Sequence, residues 1–187
     1  MKKICNILII ILIIAIITVL ILIAIKYGKN QLNENETKKL IEEINNITDI
    51  SNQEEITFKG YKVIGIIKIP KINLEYPILE KTTNESLKYS ITKFLGNDLN
   101  QIGNVALAGH DNYDGTMFGN LHKLKNDDEI EIIDLNKNSE IYKVYETYIT
   151  NPDDMKVLEE KKLGQKELTL ITCNNTHKER YIVKACK

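Results

Sequence analysis

Leu168-Thr169-Leu170-Ile171-Thr172-Cys173 is an apolar, β-branched segment that ends in a thiol, and this pattern predicts a β-strand. The six residues that follow, 174–179, are polar and turn-forming, and Arg180 then opens a second strand. If the two strands pair as a hairpin, Cys173 lies opposite Arg180, and positions 171 and 182, then 169 and 184, pair behind them. The thiol and the guanidinium are therefore expected to share one face of the sheet.

The rest of the chain from Ile56 onward has the patterning of short strands, with one short helix predicted near Asn84–Tyr89. About eight short strands with few helices predict an all-β fold, a closed or nearly closed barrel rich in antiparallel pairs. The strand-like segments include 61–69, 72–76, 104–108, 129–134, 141–149, 167–173 and 180–185.

Arg180 has added weight because it is the only arginine, whereas the other 24 basic residues are lysines. A chain that uses lysine wherever a positive charge suffices predicts that Arg180 serves a site needing a planar, always-charged, bidentate donor. Chance retention of one arginine is the alternative interpretation.

Three histidines could act as the acid or base beside the thiol. His110 follows an apolar run at the point where a buried strand is expected to emerge into a loop, which favours it. His122 lies in a segment with the spacing of a short surface helix, and His177 lies in the turn after the cysteine, where we expect it to be solvated.

These residues resemble the sortase family. The resemblance rests on Gly109-His110 after an apolar strand, on Arg180 after a short loop, and on 169–173, which match the T-L-x-T-C consensus around the sortase nucleophile. It covers roughly residues 61–187 and implies the eight-stranded sortase barrel. By the same resemblance the catalytic residues are His110, Cys173 and Arg180, and Thr172 helps to line the substrate groove.

The resemblance also implies an activity, the transpeptidation of surface proteins that carry a C-terminal LPxTG-like sorting signal. In this hypothesis Cys173 attacks the carbonyl of the signal's threonine, and Arg180 stabilises the oxyanion or orients the backbone. His110 protonates the departing amine and later deprotonates the incoming one, from a peptidoglycan precursor or a pilin lysine.

The subclass and cofactors follow less directly from the sequence. A short 148–167 region and no aromatic-bearing lid before Tyr61 favour a class D or A-like sortase. We expect no cofactor. Calcium activation is known in the family, but the acidic residues near suitable loops match no family site position by position and have the character of a solvated face. They are Asp111, Asp114, Asp127 and Asp128.

Ile7–Ile25 is a run of 19 residues, apolar except for Thr18, that would span roughly 28 Å as a helix. Its length and the lack of an A-x-A cleavage pattern favour an uncleaved membrane anchor over a signal peptide. The flanking lysines hardly discriminate orientation, so a cytoplasmic N-terminus and an extracellular domain are inferred from the short leading tail.

The predicted organisation has three parts: tail and anchor at 1–27, a polar tether at 28–55, and the catalytic domain at 56–187. Within the tether, 37–44 has one apolar face and predicts a short helix capped by Thr37, although a disordered stalk fits nearly as well. The formal net charge of -1 gives no reason to expect a nucleic-acid partner.

Other interpretations of the same residues remain open. A cell-wall cysteine hydrolase would use the same thiol, and a non-catalytic membrane-tethered barrel for adhesion or sensing would fit the strand pattern. A zinc site from His110, His122 and Cys173 lacks any paired ligand spacing. Of the other cysteines, Cys5 lies at the membrane edge, and Cys186 is interpreted as a packing residue or a spare thiol.

Overall fold

The computed structural model describes residues 2–46, 55–174 and 178–187, without the side chains of residues 2–5. The chain forms two compact units, Met1–Lys39 and Leu40–Lys187. The first unit is helical throughout its described part. The second unit holds the end of that helix and all of the strands.

Within the described ranges the chain forms one α-helix, nine strands and four 3₁₀-helices. The α-helix and strands are α1 Lys2–Asn46, β1 Thr57–Phe58, β2 Tyr61–Ile69, β3 Leu74–Leu79, β4 Ile91–Gly96, β5 Gly103–Ala108, β6 Glu129–Asp134, β7 Ser139–Thr150, β8 Lys166–Cys173 and β9 Arg180–Cys186. The 3₁₀-helices are Pro70–Ile72, Ser86–Lys88, Leu121–Lys123 and Met155–Leu158. The helix predicted near Asn84–Tyr89 is thus present as one 3₁₀ turn.

Eight of the strands close into a barrel. They follow the order β2-β3-β4-β5-β8-β9-β7-β6, and β6 pairs back onto β2. Of the eight pairings that form this ring, β3–β4 and β5–β8 are parallel and the others are antiparallel. Strand β1 pairs with the first two residues of β2, Tyr61 and Lys62. The predicted eight-stranded closed barrel, rich in antiparallel pairs, is confirmed.

The core of the barrel follows from the two-residue period of its strands. On β8, Leu168 and Leu170 belong to the main core cluster, together with Val183 and Ala185 of β9. The alternate residues of both strands therefore lie on the outer face of the barrel, and these include Cys173. This alternation places the candidate nucleophile outside the apolar core and next to solvent.

Helix α1 differs from the sequence prediction. It runs without a break from Lys2 to Asn46, whereas the sequence predicts an anchor ending near Tyr27 and a separate helix over 37–44. Thr37 therefore lies inside the helix and caps nothing. The segment contains no proline, and a Cβ at Gly28 would meet no atom within 4 Å, so no residue interrupts the helical backbone.

The last turns of α1 are stabilised by packing within the second unit. Ile41 and Ile44 are buried in a small apolar cluster with Phe58, Val63, Ile66 and Leu79. The Lys137 ammonium donates to the carbonyl of Ile44 near the helix end. The compact unit thus begins at Leu40, earlier than the predicted start of the domain at residue 56.

The helix also contains the segment predicted to cross a membrane. By length and composition, Asn6–Asn46 is the one candidate membrane span among the described residues. The apolar side chains of Ile7–Ile25 within it are exposed. An N-terminal apolar helix of this kind fits a single-pass membrane anchor.

Candidate active site

The hairpin formed by β8 and β9 brings Cys173 and Arg180 into contact. The two residues are directly paired across the ladder, and Ile171–Ile182 and Thr169–Lys184 pair behind them. The predicted register is therefore confirmed. Arg180 Nη1 lies 3.6 Å from Cys173 Sγ and donates a hydrogen bond to it. Both residues are half-buried, so the cation and the sulfur meet where solvent screening is reduced.

The loop between these strands is closed at its base. Asn174 N–H donates to the carbonyl of Glu179 at 3.0 Å, and its side-chain amide donates to the Glu179 carboxylate at 2.9 Å. Arg180 Nη1 also donates to the carbonyl of Glu179 at 3.3 Å, which limits the freedom of the guanidinium. His177 lies outside the described residues, so its predicted solvation stays a prediction.

His110 reaches the site from strand β5, which runs parallel to β8. As predicted, the strand is buried and His110 follows it as an exposed loop residue. Gly109 connects the two strand ends: its N–H donates to the carbonyl of Ile171 at 3.2 Å, and its carbonyl accepts from the Thr172 hydroxyl at 2.8 Å. The carbonyl of His110 itself accepts from Phe118 N–H at 3.0 Å.

Gly109 is required for steric reasons. A Cβ at this position would lie 2.5 Å from Ile91 Cδ1 and 2.8 Å from Phe118 Cδ2. Both neighbours belong to the packed interior, where side chains have little room to move. The residue that precedes His110 is therefore fixed by packing as well as by hydrogen bonds.

A groove on the outer face of the barrel brings the predicted residues together. It has a volume of about 240 Å³, and His110, Cys173, Arg180 and Thr172 all contribute to its lining. The lining also includes the apolar side chains of Leu87, Phe94, Met155, Val157, Ile171 and Ile182. Such a groove, largely apolar with a few polar groups, suits an extended peptide with apolar side chains.

One wall of this groove was not predicted from the sequence. Residues 151–157 of the β7–β8 connection contribute five lining residues, among them Asn151, Pro152 and Asp154. Asp154 caps the 3₁₀-helix Met155–Leu158 by accepting from Lys156 N–H at 3.0 Å, and it also accepts from the Thr150 hydroxyl at 2.6 Å. These hydrogen bonds hold the pKa of the Asp154 carboxyl below its usual value. The Asn-Pro-Asp-Asp run indicates a turn but not its position over the barrel.

A second, smaller depression touches Cys173 and contains His122. Its volume is about 20 Å³, close to that of one water molecule, and its lining includes Asp111 and Tyr181. His122 lies on the 3₁₀-helix Leu121–Lys123 and is exposed, as its spacing predicted. The two histidines thus border different depressions that meet at the thiol.

Comparison with known proteins identifies the family to which this constellation belongs. The family model described as the sortase domain matches residues 67–187, which include every residue of the constellation. The chain belongs to the sortase family. The fold is therefore the sortase barrel, as the resemblance implied.

Individual sortases are similar over much of the chain. Sortase A of Bacillus anthracis is 33% identical over 138 residues, 72% of this chain and 64% of that protein. Sortase D of Bacillus subtilis is 30% identical over 110 residues, 58% of this chain and 53% of that protein. This chain thus spans about half to two thirds of the length of these curated relatives.

A solved sortase structure covers more of the chain. A Clostridium perfringens Sortase D5 transpeptidase superposes with a TM-score of 0.65 at 30% identity, covering 83% of this chain and 98% of that one. The relatives thus include proteins named Sortase A and proteins named Sortase D.

The acidic side chains near the loops are the possible metal ligands to consider among the described residues. In the described part of the chain, no group of three or more His, Cys, Asp or Glu residues is placed to hold a metal ion. Asp114 accepts from the Thr116 hydroxyl at 2.6 Å, and Asp128 accepts from Lys125 N–H at 2.9 Å, so both have structural uses. That the sortase needs no cofactor stays a prediction.

Cys186 is the last residue of β9 and is half-buried as a free thiol. It pairs with Glu167 across the ladder and lies at the end of the hairpin opposite Cys173. Because about six residues of extended strand separate the two ends, the two thiols are roughly 20 Å apart. This separation excludes a Cys173–Cys186 disulfide in the folded barrel.

Proposed function

We propose that this sortase is a membrane-anchored cysteine transpeptidase that cleaves an LPxTG-like sorting signal and transfers the surface protein to an amine. The observation that carries the proposal is the contact between Arg180 and Cys173 at 3.6 Å, in a groove that His110 also lines. Family membership adds that the proteins with this fold include a transpeptidase.

In the acylation step, the Cys173 thiolate attacks the carbonyl carbon of the signal's threonine. Arg180 lies next to the sulfur, and its N–H groups can donate to the oxyanion that forms. The peptide C–N bond then breaks, and the departing amine takes a proton from His110. A thioester on Cys173 and a free C-terminal fragment result.

In the second step, an amine attacks the thioester carbon and the C–S bond breaks. His110, left neutral by acylation, takes the proton from the incoming nitrogen, and Cys173 leaves as a thiolate. A new amide bond forms, and the starting protonation states return. The amine belongs to a peptidoglycan precursor or to a pilin lysine in this proposal.

The groove is suited to the acyl half of such a signal. Its apolar lining, which includes Phe94 and Val157, offers contacts for the leucine and proline of an extended peptide. Thr172 lines both depressions, and its hydroxyl already donates a hydrogen bond to the carbonyl of Gly109. We assign Thr172 a positioning role for the ends of β5 and β8.

The anchor supports a location at the cell membrane. We infer a cytoplasmic N-terminus and an extracellular barrel, where surface proteins with sorting signals and cell-wall amines meet. A lysine-reactive label that cannot cross the membrane, added outside intact cells, tests this orientation. Labelling of barrel lysines supports it, and labelling only after lysis contradicts it.

The activity is tested with the full chain in detergent micelles. Labelled LPxTG-type peptides are incubated with and without a diglycine or diaminopimelate amine, and the products are identified by mass spectrometry. We expect an amide-linked product when amine is present, its loss in Cys173→Ala, and its retention in the matched thiol control Cys186→Ala. Free acid alone, even at high amine concentration, indicates a cysteine hydrolase. Unchanged turnover in Cys173→Ala refutes the proposal.

A further inference from the structure

A buried ion pair lies on the outer face of the same hairpin, well away from the thiol. Lys184 Nζ lies 3.2 Å from Glu167 Oε1, and both side chains have no exposed surface. Lysine and glutamate are almost never fully buried unless they are paired. The pair lies near the opposite end of the hairpin from Cys173, and the catalytic steps above do not use it.

The carboxylate of Glu167 holds the β7–β8 connection. Its Oε2 accepts hydrogen bonds from two consecutive backbone N–H groups, those of Lys161 at 2.9 Å and Lys162 at 3.2 Å. Its Oε1 accepts from the Tyr145 hydroxyl. The carboxylate therefore satisfies backbone donors of a segment that belongs to neither strand.

Lys184 holds the same connection from the other side. Its ammonium donates to the carbonyl of Glu159 at 3.0 Å. Burial lowers the pKa of Lys184, and the Glu167 charge opposes that change. Lys184 is therefore held between a carboxylate on the barrel and a carbonyl on the connection, and it joins the two.

Two neutral residues extend this set of contacts toward the groove. The Asn104 amide donates to the carbonyl of Leu158 at 3.1 Å, and the Thr169 hydroxyl donates to Asn104 Oδ1 at 2.8 Å. Thr169 also approaches the carbonyl of Val157 at 3.4 Å. Val157 lines the groove, so the contacts that begin at the ion pair end at the groove wall.

Stability alone gives a weak reason for such a pair. Replacing a buried ion pair with apolar residues of similar volume is often neutral or stabilising, because desolvation offsets the attraction between the charges. A hydrophobic pair, however, cannot bond the N–H groups of Lys161 and Lys162 or the carbonyl of Glu159. What the ion pair does that an apolar pair cannot is to hold the β7–β8 connection in one position on the barrel.

We propose that the Lys184–Glu167 pair is a positioning device that fixes residues 157–162 on the barrel and thereby sets the wall of the groove that binds the sorting signal. This inference rests on the proposed function for the identity of the peptide. It assigns neither residue a contact with the substrate. It makes substrate affinity depend on a charge pair whose residues lie four and six strand positions from Cys173, roughly 13 and 20 Å along the hairpin.

The test compares Glu167→Gln, Lys184→Met and the double variant with the parent full chain in micelles. Each single variant leaves one buried charge unpaired and can therefore unfold. The double variant leaves no unpaired buried charge, so we expect it to fold even where the single variants do not. The matched control is Lys68→Met with Glu75→Gln, which removes a partly exposed ion pair of similar length, 2.9 Å, between β2 and β3. Circular dichroism verifies folding of every variant.

The first measurement is hydrogen exchange at the amides of Lys161 and Lys162. We expect these amides to lose protection at least about tenfold in the double variant, since their acceptor is weakened, while β8 amides keep theirs. The second measurement is peptide turnover. We expect KM for an LPxTG-type peptide to rise about tenfold, with kcat and the rate of Cys173 alkylation close to the parent.

The control variant is expected to match the parent in both measurements. A folded double variant with parent-level protection and parent-level KM would overturn the inference. An equal fall in kcat and in Cys173 alkylation would also overturn it, because the pair would then act on the whole barrel. If the parent processes no peptide, the proposed function fails, whereas exchange at Lys161 and Lys162 still decides the positioning claim.

Discussion

The Thr172 hydroxyl donates a hydrogen bond to the carbonyl of Gly109 at 2.8 Å, and this contact joins the strand end that carries the thiol to the strand end that carries the imidazole. Thr172 precedes Cys173, and Gly109 precedes His110. Both bonded residues are buried. The relative position of nucleophile and acid therefore depends on a bond made by neither of them.

Replacing Thr172 tests that dependence. Thr172→Val keeps the shape of the side chain but removes the donor, so a buried carbonyl loses a partner at a cost of about 1–3 kcal/mol in the free energy of unfolding. We expect kcat/KM for the peptide to fall about tenfold or more, because the imidazole and thiol are no longer held together. Thr172→Ser keeps the hydroxyl and should stay near the parent. Parent-level kcat/KM in Thr172→Val speaks against the linkage.

Gly109→Ala tests the packing around the residue before His110. The added methyl group would lie 2.5 Å from Ile91 Cδ1, so the backbone must shift and carry His110 with it. Overpacking of this kind costs about 1–3 kcal/mol in unfolding free energy, and we expect peptide turnover to fall further than the loss of folded protein explains. Gly60→Ala is the control, since a Cβ there meets no atom within 4 Å. The backbone φ of +80° at Gly60 strains the substituted residue, but this strain involves no overpacking. Equal effects of the two substitutions on turnover would rule out this explanation.

Arg180→Lys separates charge from geometry at the thiol. Lysine keeps the positive charge but lacks the planar fork that reaches Cys173 Sγ and an oxyanion together. Loss of one oxyanion donor typically lowers kcat by about 10²–10³, and we expect a fall of that order in steady-state peptide turnover. Lys178→Arg, in the adjoining loop, is the control and should leave turnover unchanged. An Arg180→Lys variant with parent-level kcat would show that charge alone suffices.

The buried carboxylate predicts a dependence of stability on pH. Burial alone would raise the pKa of Glu167, but hydrogen bonds from Tyr145 and backbone N–H groups, with the Lys184 charge, hold it below its ordinary value of 4.5. A carboxyl whose pKa is lower in the folded than in the unfolded state stabilises the fold at pH values above the unfolded-state pKa. That stabilisation is lost as the pH falls through the folded-state pKa.

Thermal unfolding of the parent and of the Glu167→Gln/Lys184→Met variant, followed by circular dichroism, measures this component. Whatever the sign of the difference at neutral pH, we expect the free energy of unfolding of the parent, relative to that of the variant, to fall as the pH is lowered below the ordinary glutamate value of 4.5. Comparison between the two proteins cancels the exposed carboxyls, such as Asp98, whose pKa values are also lowered. A constant difference across this range would contradict the prediction.

Local patterns explain why much of the site was predictable. The six-residue loop and the apolar alternation of β8 and β9 fix which residues face each other, so the pairing of Cys173 with Arg180 follows from the sequence. His110 was predictable as the residue at the end of a buried strand. The closed barrel follows from the number of short strands, because each leaves an edge that another must cover.

Contacts between distant segments explain the rest. The groove wall at 151–157 and the residues that follow it, 158–162, depend on where a loop lies over the barrel. The partners of this loop, Asn104, Thr169 and Lys184, lie outside it in the sequence. Lys184 within an otherwise apolar strand was a signal of a buried charge, although it does not name Glu167 as its partner. The continuous helix α1 reflects the absence of a breaker in the polar segment, which composition alone suggested was a tether.

Trapping the acyl-enzyme is the most direct test of the account as a whole. The full chain in micelles is mixed with an LPxTG-type peptide without amine, quenched in acid, and analysed by intact and tryptic mass spectrometry. We predict a hydroxylamine-labile adduct on Cys173, present in Cys186→Ala and absent in Cys173→Ala. An adduct on any other residue, or peptide cleavage that persists in Cys173→Ala, would contradict it.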